Sequence, residues 1–311
     1  TEARARGIRQ ILSPVINIAS DPRWGRTEET YGEDPYLTSR MAVSFVSAFE
    51  KSGIITTPKH FIANVGDGGR DSYPIHFNER LLDEIYFPPF KACIQEGGSR
   101  SVMTAYNSLD GVACSSNSWL LQQKLKGDWG FKGFVISDAN AVGGEVVLHH
   151  TAKNYEEACR HAIGNGLDVI FQTDVHHYKL FISPFLNGEI DSNRINDAVS
   201  RVLRAKFELG LFEKPYVSLA EAAKWTNNES HKYLARLAAF ESIVLLKNEK
   251  NVLPFRKNIH RIAVIGEDAA EARLGGYSGP GNQKISILDG LRHRAGDSVQ
   301  ITYEPGCGRA T

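Results

Sequence analysis

The run Gly133-Phe134-Val135-Ile136-Ser137-Asp138 joins a short apolar stretch to a carboxylate. Its β-branched and aromatic residues are typical of a buried strand. In parallel α/β folds, functional groups collect at the carboxyl ends of the strands. The run therefore predicts an inner strand that holds Asp138 rigidly at the functional edge of a sheet.

The chain around this run alternates between strand-like and helix-like segments. Short apolar or β-branched runs predict strands at Ile11–Ile18, Gly53–Thr57, Ser101–Tyr106, Gly133–Ser137 and Leu167–Phe171. Helix signals predict helices over Tyr36–Lys51, Asn78–Glu96, Ser118–Gly127, Tyr155–Gly164 and Asp191–Leu211. The Asp34-Pro35 pair is typical of an N-cap followed by the first helical residue. The alternation predicts an α/β fold with a parallel sheet, either doubly wound or part of a (β/α)8 barrel.

The composition narrows the possible classes of protein. The 311 residues include 36 Lys and Arg and 36 Asp and Glu, so the formal net charge is zero. This balance argues against nucleic-acid or membrane-surface binding driven by bulk charge. Apolar runs fall short of the ~18 residues that a spanning helix needs. The four cysteines show neither CxxC nor metal-ligand spacing, so the sequence predicts no metal site. The charge balance and the short apolar runs likewise predict no nucleic-acid partner and no membrane.

A second unit follows the predicted barrel or sheet. Residues 213–230 are polar and predict a linker. After it come a predicted helix over His231–Leu246, a buried strand over Arg261–Gly266 and another strand over Val299–Tyr303. The sequence therefore predicts a small α/β unit over residues 231–311.

The residues just past the predicted strands combine a carboxylate with cations, an imidazole and a phenol. In chain order they are Arg23, Arg26, Lys59, His60, Arg70, Asp71, Tyr106, Asn107 and Asp138, with Gln172 and Asp174 after the last strand. Cations and imidazole can donate hydrogen bonds to hydroxyls, and a carboxylate can attack an electrophilic carbon. This set of residues suits an uncharged polyhydroxyl ligand. The Glu28-Glu29 pair lies in the same loop as Arg26, and we expect it to be a solvated surface pair.

Several motifs, in order, resemble glycoside hydrolase family 3. The stretches are Ser13-Pro14-Val15, Asp21-Pro22-Arg23-Trp24-Gly25-Arg26, Tyr31-Gly32-Glu33-Asp34-Pro35, Pro58-Lys59-His60-Phe61, Gly68-Gly69-Arg70-Asp71, Ser101–Asn107 and Trp129-Gly130-Phe131 through Ser137-Asp138. Val244–Asn248 and Gly275-Gly276-Tyr277-Ser278-Gly279 are similar to the start of that family's second domain. The resemblance covers nearly the whole chain.

The resemblance implies a (β/α)8-like barrel over residues 1–212, incomplete in this chain, followed by the beginning of an α/β sandwich over 231–311. It implies that a sugar site lies between the two domains. Asp138 matches the nucleophile of a retaining β-glycosidase, and the family's acid/base would lie beyond this chain. No cofactor is implied, and flanking cations are expected to keep Asp138 ionised.

Other positions match the residues that hold the sugar. Four positions match groups that hydrogen-bond to the sugar hydroxyls in the family, namely Arg26, Lys59, His60 and Arg70. Tyr106 matches a residue that lines the same sugar site. The family often has Trp after the nucleophile, whereas this chain has Ala139, so one aromatic platform is lost unless Trp24 replaces it.

The most direct interpretation is an exo-β-glycosidase that removes terminal glucose from a small oligosaccharide or glycoside. A β-xylosidase is the alternative within the family. Two alternatives from other classes are a Schiff-base barrel lyase at Lys59 and a non-catalytic carbohydrate-binding protein. The resemblance favours a periplasmic or extracellular location, and the oligomeric state is left open.

Overall fold

The structure is a computed structural model that describes residues 1–65, 72–281 and 283–308. The chain forms two compact units, Thr1–Glu229 and Ser230–Thr311. Each unit combines helices with parallel strands. The predicted α/β class is therefore confirmed.

The first unit contains most of the regular structure. Its strands are β1 (Gln10–Ile11), β2 (Ile55–Thr56), β3 (Ser101–Met103), β4 (Ser108–Leu109), β5 (Val112–Ala113) and β6 (Phe134–Ile136). Its α-helices are α1 (Glu2–Ala5), α2 (Pro35–Lys51), α3 (Glu79–Leu81), α4 (Phe87–Gln95), α5 (Gly144–Val147), α6 (Tyr155–Gly164), α7 (Ser183–Leu186), α8 (Ser192–Glu208) and α9 (Leu219–Trp225). Its 3₁₀-helices are Pro22–Trp24, Thr27–Glu29, Cys114–Ser116 and Val175–Leu180, and its π-helices are Leu82–Tyr86 and Trp119–Asp128.

The parallel segments of this unit lie side by side in chain order. Gln10 of β1 pairs with Ile55 of β2, and Ser101 of β3 pairs with Phe134 of β6, both in parallel. Parallel bridges extend the same layer at Val15–Lys59, Phe61–Thr104 and Ile136–Val169. Because all these pairings are parallel, the strand ends that carry the candidate residues face the same edge.

Two local features differ from the predicted elements. The predicted strand Leu167–Phe171 forms a single bridge, at Val169, in the described structure. A short antiparallel hairpin, β4–β5, follows the end of β3. Asp110 and Gly111 form its turn with φ of 49° and 85°, values that suit an Asp-Gly turn between two strands.

One predicted helix begins where its capping residue indicates, and two others differ from the predicted α-helices. Asp34 is the N-cap of α2, as predicted, and its Oδ1 accepts hydrogen bonds from the backbone N–H groups of Tyr36 and Leu37 at 2.7 and 2.8 Å. The predicted helix over residues 78–96 is divided into α3, a π-helical turn and α4. The predicted helix over 118–127 is the π-helix Trp119–Asp128.

An aromatic cluster packs behind the parallel layer. The ring of Phe61, which follows the strand-end residue His60, lies 5.1 Å from Phe90 and 5.7 Å from Trp129 between ring centroids. Phe87 contacts the same Trp129 edge-to-face at 5.1 Å. Each such pair contributes about 0.5–1.5 kcal/mol beyond area burial. The cluster therefore fixes the backbone from which His60 projects.

The second unit is small. It contains helices α10 (Glu229–Ser242), α11 (Glu267–Ala270) and α12 (Ile287–Ala295), 3₁₀ turns at Glu249–Asn251 and Gly296–Ser298, and strands β7 (Arg261–Ile265) and β8 (Gln300–Glu304). β7 and β8 pair in parallel, with Arg261 opposite Gln300. The predicted helix over 231–246 ends earlier, at Ser242, and α9 lies within the segment predicted as a linker. Throughout the described residues, no helix has both the length and the apolar character to cross a membrane.

Candidate active site

Asp138 lies two residues past the end of β6 and is almost completely buried, with 7% of its surface exposed. Its Oδ1 accepts a hydrogen bond from the backbone N–H of Ala139 at 2.7 Å, and its Oδ2 lies 3.3 Å from Nε2 of His60. The preceding residue, Ser137, donates from Oγ to the Asp138 carbonyl and accepts from the N–H of Phe171, both at 2.9 Å. These bonds tie the carboxylate to two neighbouring segments of the layer.

The electrostatics of Asp138 differ from the sequence expectation. Burial raises the pKa of the Asp138 carboxyl above its usual value. The Ala139 N–H, Lys59, a hydrogen bond from Tyr106 and Arg26 each lower the pKa, but together they do not offset burial. The expectation considered the cations and left out burial: Lys59 and Arg26 do favour the carboxylate, but removal from water outweighs them, so the net pKa shift is upward.

His60 is completely buried beside Asp138. The backbone of Lys59 pairs with Val15 of the neighbouring segment, which carries His60 to the strand end. Asn17 holds His60 through three contacts, to its backbone N–H, its ring Nδ1 and its carbonyl oxygen. Burial, Arg26 and Lys59 lower the pKa of His60 well below its usual range, so the ring is neutral at pH 7.

Arg26 approaches the same imidazole from the loop that contains the 3₁₀ turn Thr27–Glu29. Its side chain is buried, and its Nη2 lies 3.0 Å from Nε2 of His60. Nε and Nη2 donate to the two carboxylate oxygens of Glu29 at 2.8 and 2.9 Å. The expectation of a solvated Glu28-Glu29 pair is therefore wrong for Glu29, whose two carboxylate oxygens accept hydrogen bonds from Arg26. Glu28 is exposed, as expected.

The Arg26 guanidinium also lies 5.9 Å from the ring centroid of Trp24. Trp24 is completely buried. The Trp24 ring therefore packs against the Arg26 guanidinium on the interior side. A completely buried ring does not offer the open aromatic face that could replace the missing platform at Ala139.

Tyr106 and Lys59 complete the set of described residues around Asp138. The Tyr106 side chain donates a hydrogen bond to the Asp138 carboxylate. The Tyr106 carbonyl oxygen accepts from Nε2 of His149 at 2.8 Å. Lys59 is half-buried, and its charge acts on both Asp138 and His60. Arg70, the remaining predicted site residue, lies outside the described residues.

The structure thus brings together Arg26, Lys59, His60, Tyr106 and Asp138. It also adds three residues that the sequence reasoning did not place in the site, namely Asn17, Glu29 and His149. Asn17 had no strand-end signal, because it lies inside the predicted strand Ile11–Ile18, whereas Glu29 lies three residues from Arg26. Within the described parts of the chain, no cluster of three or more His, Cys, Asp or Glu side chains is arranged to hold a metal ion.

This arrangement can support nucleophilic chemistry on a neutral, hydroxyl-rich molecule. A buried carboxylate is fixed at one oxygen by a backbone N–H and is bordered by a phenol, two cations and a neutral imidazole. Cations and phenol can donate to hydroxyls, while the carboxylate can attack carbon.

Comparison with known sequences defines the family. Residues 1–205 match the profile of the glycosyl hydrolase family 3 N terminal domain, and residues 243–305 match that of the family 3 C-terminal domain. The chain belongs to glycoside hydrolase family 3.

Similar proteins include enzymes of two named activities. The chain is 36% identical to a beta-xylosidase of Formosa agariphila, with 98% of this chain and 46% of that protein covered. It is also 36% identical to a periplasmic beta-glucosidase of Salmonella typhimurium, with 98% of this chain and 41% of that protein covered. A solved β-glucosidase from Erythrobacter marinus has a TM-score of 0.92 and 36% identity, over 98% of this chain and 42% of that one. The chain spans less than half the length of these relatives.

Proposed function

We propose that the protein is a retaining exo-β-glycosidase that removes terminal β-linked glucose from a small oligosaccharide or glycoside. The observation that carries this proposal is the position of Asp138. The carboxylate is buried just past the end of β6, one oxygen is held by the Ala139 N–H, and the other lies 3.3 Å from Nε2 of His60, which Arg26 also contacts. Family membership and relatives named β-glucosidase support the same activity.

In the proposed mechanism, Asp138 attacks the anomeric carbon while the bond to the leaving oxygen breaks, and that oxygen takes a proton from a general acid and departs as an alcohol. The product of this step is a glycosyl ester of Asp138, which water then hydrolyses with net retention of configuration. Tyr106 and the Ala139 N–H hold the attacking carboxylate in place, Arg26 and Lys59 bind sugar hydroxyls, and His60 contacts Arg26. We propose the same hydroxyl-binding role for Arg70. The raised pKa of Asp138 places its ionisation closer to the working pH than that of an exposed carboxyl.

We also propose that the first unit is part of a (β/α)8-like barrel over residues 1–212. Its parallel segments are adjacent in chain order, as in a singly wound barrel, whereas a doubly wound sheet reverses its order. The second proposed domain is an α/β sandwich whose beginning is residues 231–311, after a connecting segment over 213–230. Because one relative is named periplasmic, we propose a location outside the cytoplasm.

A β-xylosidase is the second candidate, since the relative from Formosa agariphila carries that name at the same 36% identity. The two sugars differ by the hydroxymethyl group of glucose. We expect the full-length protein to have a higher kcat/KM for an aryl β-glucoside than for the matching aryl β-xyloside. The reverse ratio would support the xylosidase instead.

Stereochemistry and substitution test the reaction class. NMR of the first-formed sugar is expected to show the β-anomer. Asp138→Asn is expected to bind sugar but to lose roughly 10³-fold or more in kcat, because the neutral amide is a poor nucleophile. A first-formed α-anomer would overturn the retaining mechanism. Sugar binding without turnover would indicate a carbohydrate-binding protein, and borohydride trapping of a keto substrate on Lys59 would indicate a lyase.

A further inference from the structure

The side-chain amide of Asn17 makes three contacts with one residue, His60. Oδ1 of Asn17 accepts a hydrogen bond from the backbone N–H of His60 at 2.8 Å. Nδ2 of Asn17 donates to the backbone carbonyl of His60 at 3.1 Å. Oδ1 also lies 2.9 Å from the ring Nδ1 of His60. Asn17 and His60 are both buried, so water does not compete for these contacts.

These contacts determine which way the Asn17 amide points. A backbone N–H can only donate a hydrogen bond and a backbone carbonyl can only accept one. The oxygen of the amide must therefore face the His60 N–H, and its nitrogen must face the His60 carbonyl. Because the oxygen is a pure acceptor, the ring nitrogen that it faces, Nδ1, must carry a proton.

The protonation of the other ring nitrogen, Nε2, follows independently from its contact with Arg26. Nη2 of Arg26 lies 3.0 Å from Nε2 of His60, and a guanidinium nitrogen has no lone pair to offer. Nε2 must therefore be the acceptor. Asn17 and Arg26 thus require the same state of the ring, with a proton on Nδ1 and none on Nε2.

We propose that Asn17 is a positioning residue that fixes His60 as the neutral Nδ1–H tautomer, so that the imidazole presents its one hydrogen-bond acceptor, Nε2, to Arg26. In this state both ring nitrogens have protein partners, so the assignment replaces the expectation that the imidazole donates to substrate hydroxyls with a role in holding Arg26. Its catalytic consequence rests on the proposed glycosidase function, whereas the tautomer itself does not.

Of the charged groups around His60, the two cations favour the neutral ring and the Asp138 carboxylate opposes it. Arg26 and Lys59 face the ring with positive charge and Asp138 faces it with a carboxylate at 3.3 Å. The net result is a lowered pKa for His60, since burial and the two cations disfavour the imidazolium. An unprotonated Nε2 cannot donate to Asp138, so the ring leaves the carboxylate available for attack.

NMR of the full-length protein with ¹⁵N-labelled histidine tests the tautomer directly. The His60 signals are identified by their absence in His60→Asn. We expect Nδ1 protonated and Nε2 unprotonated between pH 5 and pH 8, a range around the usual histidine pKa of about 6.5. A proton on Nε2 at neutral pH, in either the other tautomer or the imidazolium, would overturn the proposal without reference to activity.

Asn17→Asp tests the positioning role. The carboxylate loses the donor to the His60 carbonyl and stabilises a second ring proton, so the ring is expected to become imidazolium within the same pH range. We expect kcat/KM to fall about ten- to a hundredfold, the scale of a disrupted buried hydrogen bond, with a pH dependence that follows the new His60 titration.

Asn165→Asp is the matched control. Its amide also donates to a backbone carbonyl at 2.8 Å, but that carbonyl belongs to Ser116 and not to His60. The control is expected to leave kcat/KM and the His60 signals unchanged. An Asn17→Asp protein with a neutral ring and normal kcat/KM would refute the role of Asn17. If that variant does not fold, the wild-type spectrum still decides the tautomer, and absence of glycosidase activity would refute the proposed function alone.

Discussion

Arg26 is held between a carboxylate and an imidazole. Glu29 binds two of its nitrogens, and Nη2 also faces His60. A guanidinium is a rigid planar fork, so two bonds on one side fix the direction of the remaining donors. Trp24 supports the same group from its buried face. Glu29 is therefore expected to act on the site through Arg26.

Glu29→Gln is expected to lower kcat/KM about tenfold or more, because one charge-assisted bond to Arg26 is lost and the fork loosens. Glu28→Gln is the matched control, since Glu28 is exposed in the same turn. Steady-state kinetics of both variants on one aryl glycoside provides the measurement. Similar kcat/KM values for the two variants would contradict the role of Glu29.

Lys59→Ala is expected to reduce kcat/KM by at least about 10²-fold, since contacts to sugar hydroxyls that strengthen in the transition state supply several kcal/mol. The loss of the cation should also raise the pKa of Asp138 further and move the acid limb of the pH profile upward.

Lys91→Ala, at an exposed position of α4, is the control for Lys59→Ala. Its kinetics and its acid limb should match those of the parent protein. Parent-like kinetics for Lys59→Ala would place Lys59 outside the site.

Residue types at strand ends predicted much of the candidate site, because parallel strands bring their carboxyl ends together. The sequence could not show which neighbours would pair. Glu28 and Glu29 are adjacent and chemically identical, and only the turn Thr27–Glu29 directs one of them to Arg26. The partnership of Asn17 with His60 spans 43 positions of sequence and depends on the pairing of two strands.

At the scale of elements, predictions were closest where a side chain marks the boundary. Asp34 caps α2 and Asn154 caps α6, and both helices begin at the residue that follows. The segment Leu167–Phe171 reduces to one bridge because strand length depends on tertiary pairing as well as on propensity. The β4–β5 hairpin was missed although Asp110-Gly111 is a strong turn signal.

Gly133 sets how closely β6 approaches β3. A methyl group on Gly133 would lie 2.2 Å from the Arg100 carbonyl oxygen, which accepts the hydrogen bond of Phe134 N–H at 3.1 Å. Gly133→Ala is therefore expected to destabilise the protein by about 1–3 kcal/mol through backbone displacement. Thermal unfolding of the full-length protein measures the effect.

Gly164→Ala is the control for this substitution. Gly164 ends α6 with open space around the position of a methyl group. Alanine there is expected to be neutral or to stabilise the helix by up to about 1 kcal/mol. Equal melting temperatures for the two variants would contradict the close approach at Gly133.

At the scale of the whole molecule, the raised pKa of Asp138 links the site to stability. A carboxyl whose pKa is higher in the folded state binds its proton more tightly there. Its stabilising contribution is therefore present below the unfolded pKa and is lost as pH rises through the folded pKa. Asp138 thus reduces the free energy of unfolding at neutral pH, which is the cost of keeping the proposed nucleophile buried.

Asp138→Asn is accordingly expected to melt at a higher temperature than the parent protein at pH 7. The difference should shrink as the pH falls below the folded pKa of Asp138, because the parent carboxyl is then also neutral. Melting curves of both proteins across this range isolate the contribution of one group. A variant that is less stable than the parent at pH 7, with no pH trend, would contradict the raised pKa.

The most direct test of the account is the identity of the residue that becomes covalently attached to sugar. The full-length protein would be incubated with a slow 2-fluoro-β-glucoside, digested and analysed by mass spectrometry. The account predicts one labelled peptide with the sugar on Asp138, and no label in Asp138→Asn. Attachment to another carboxylate, such as Glu28 or Asp174, in a protein that turns over the parent glucoside would contradict it.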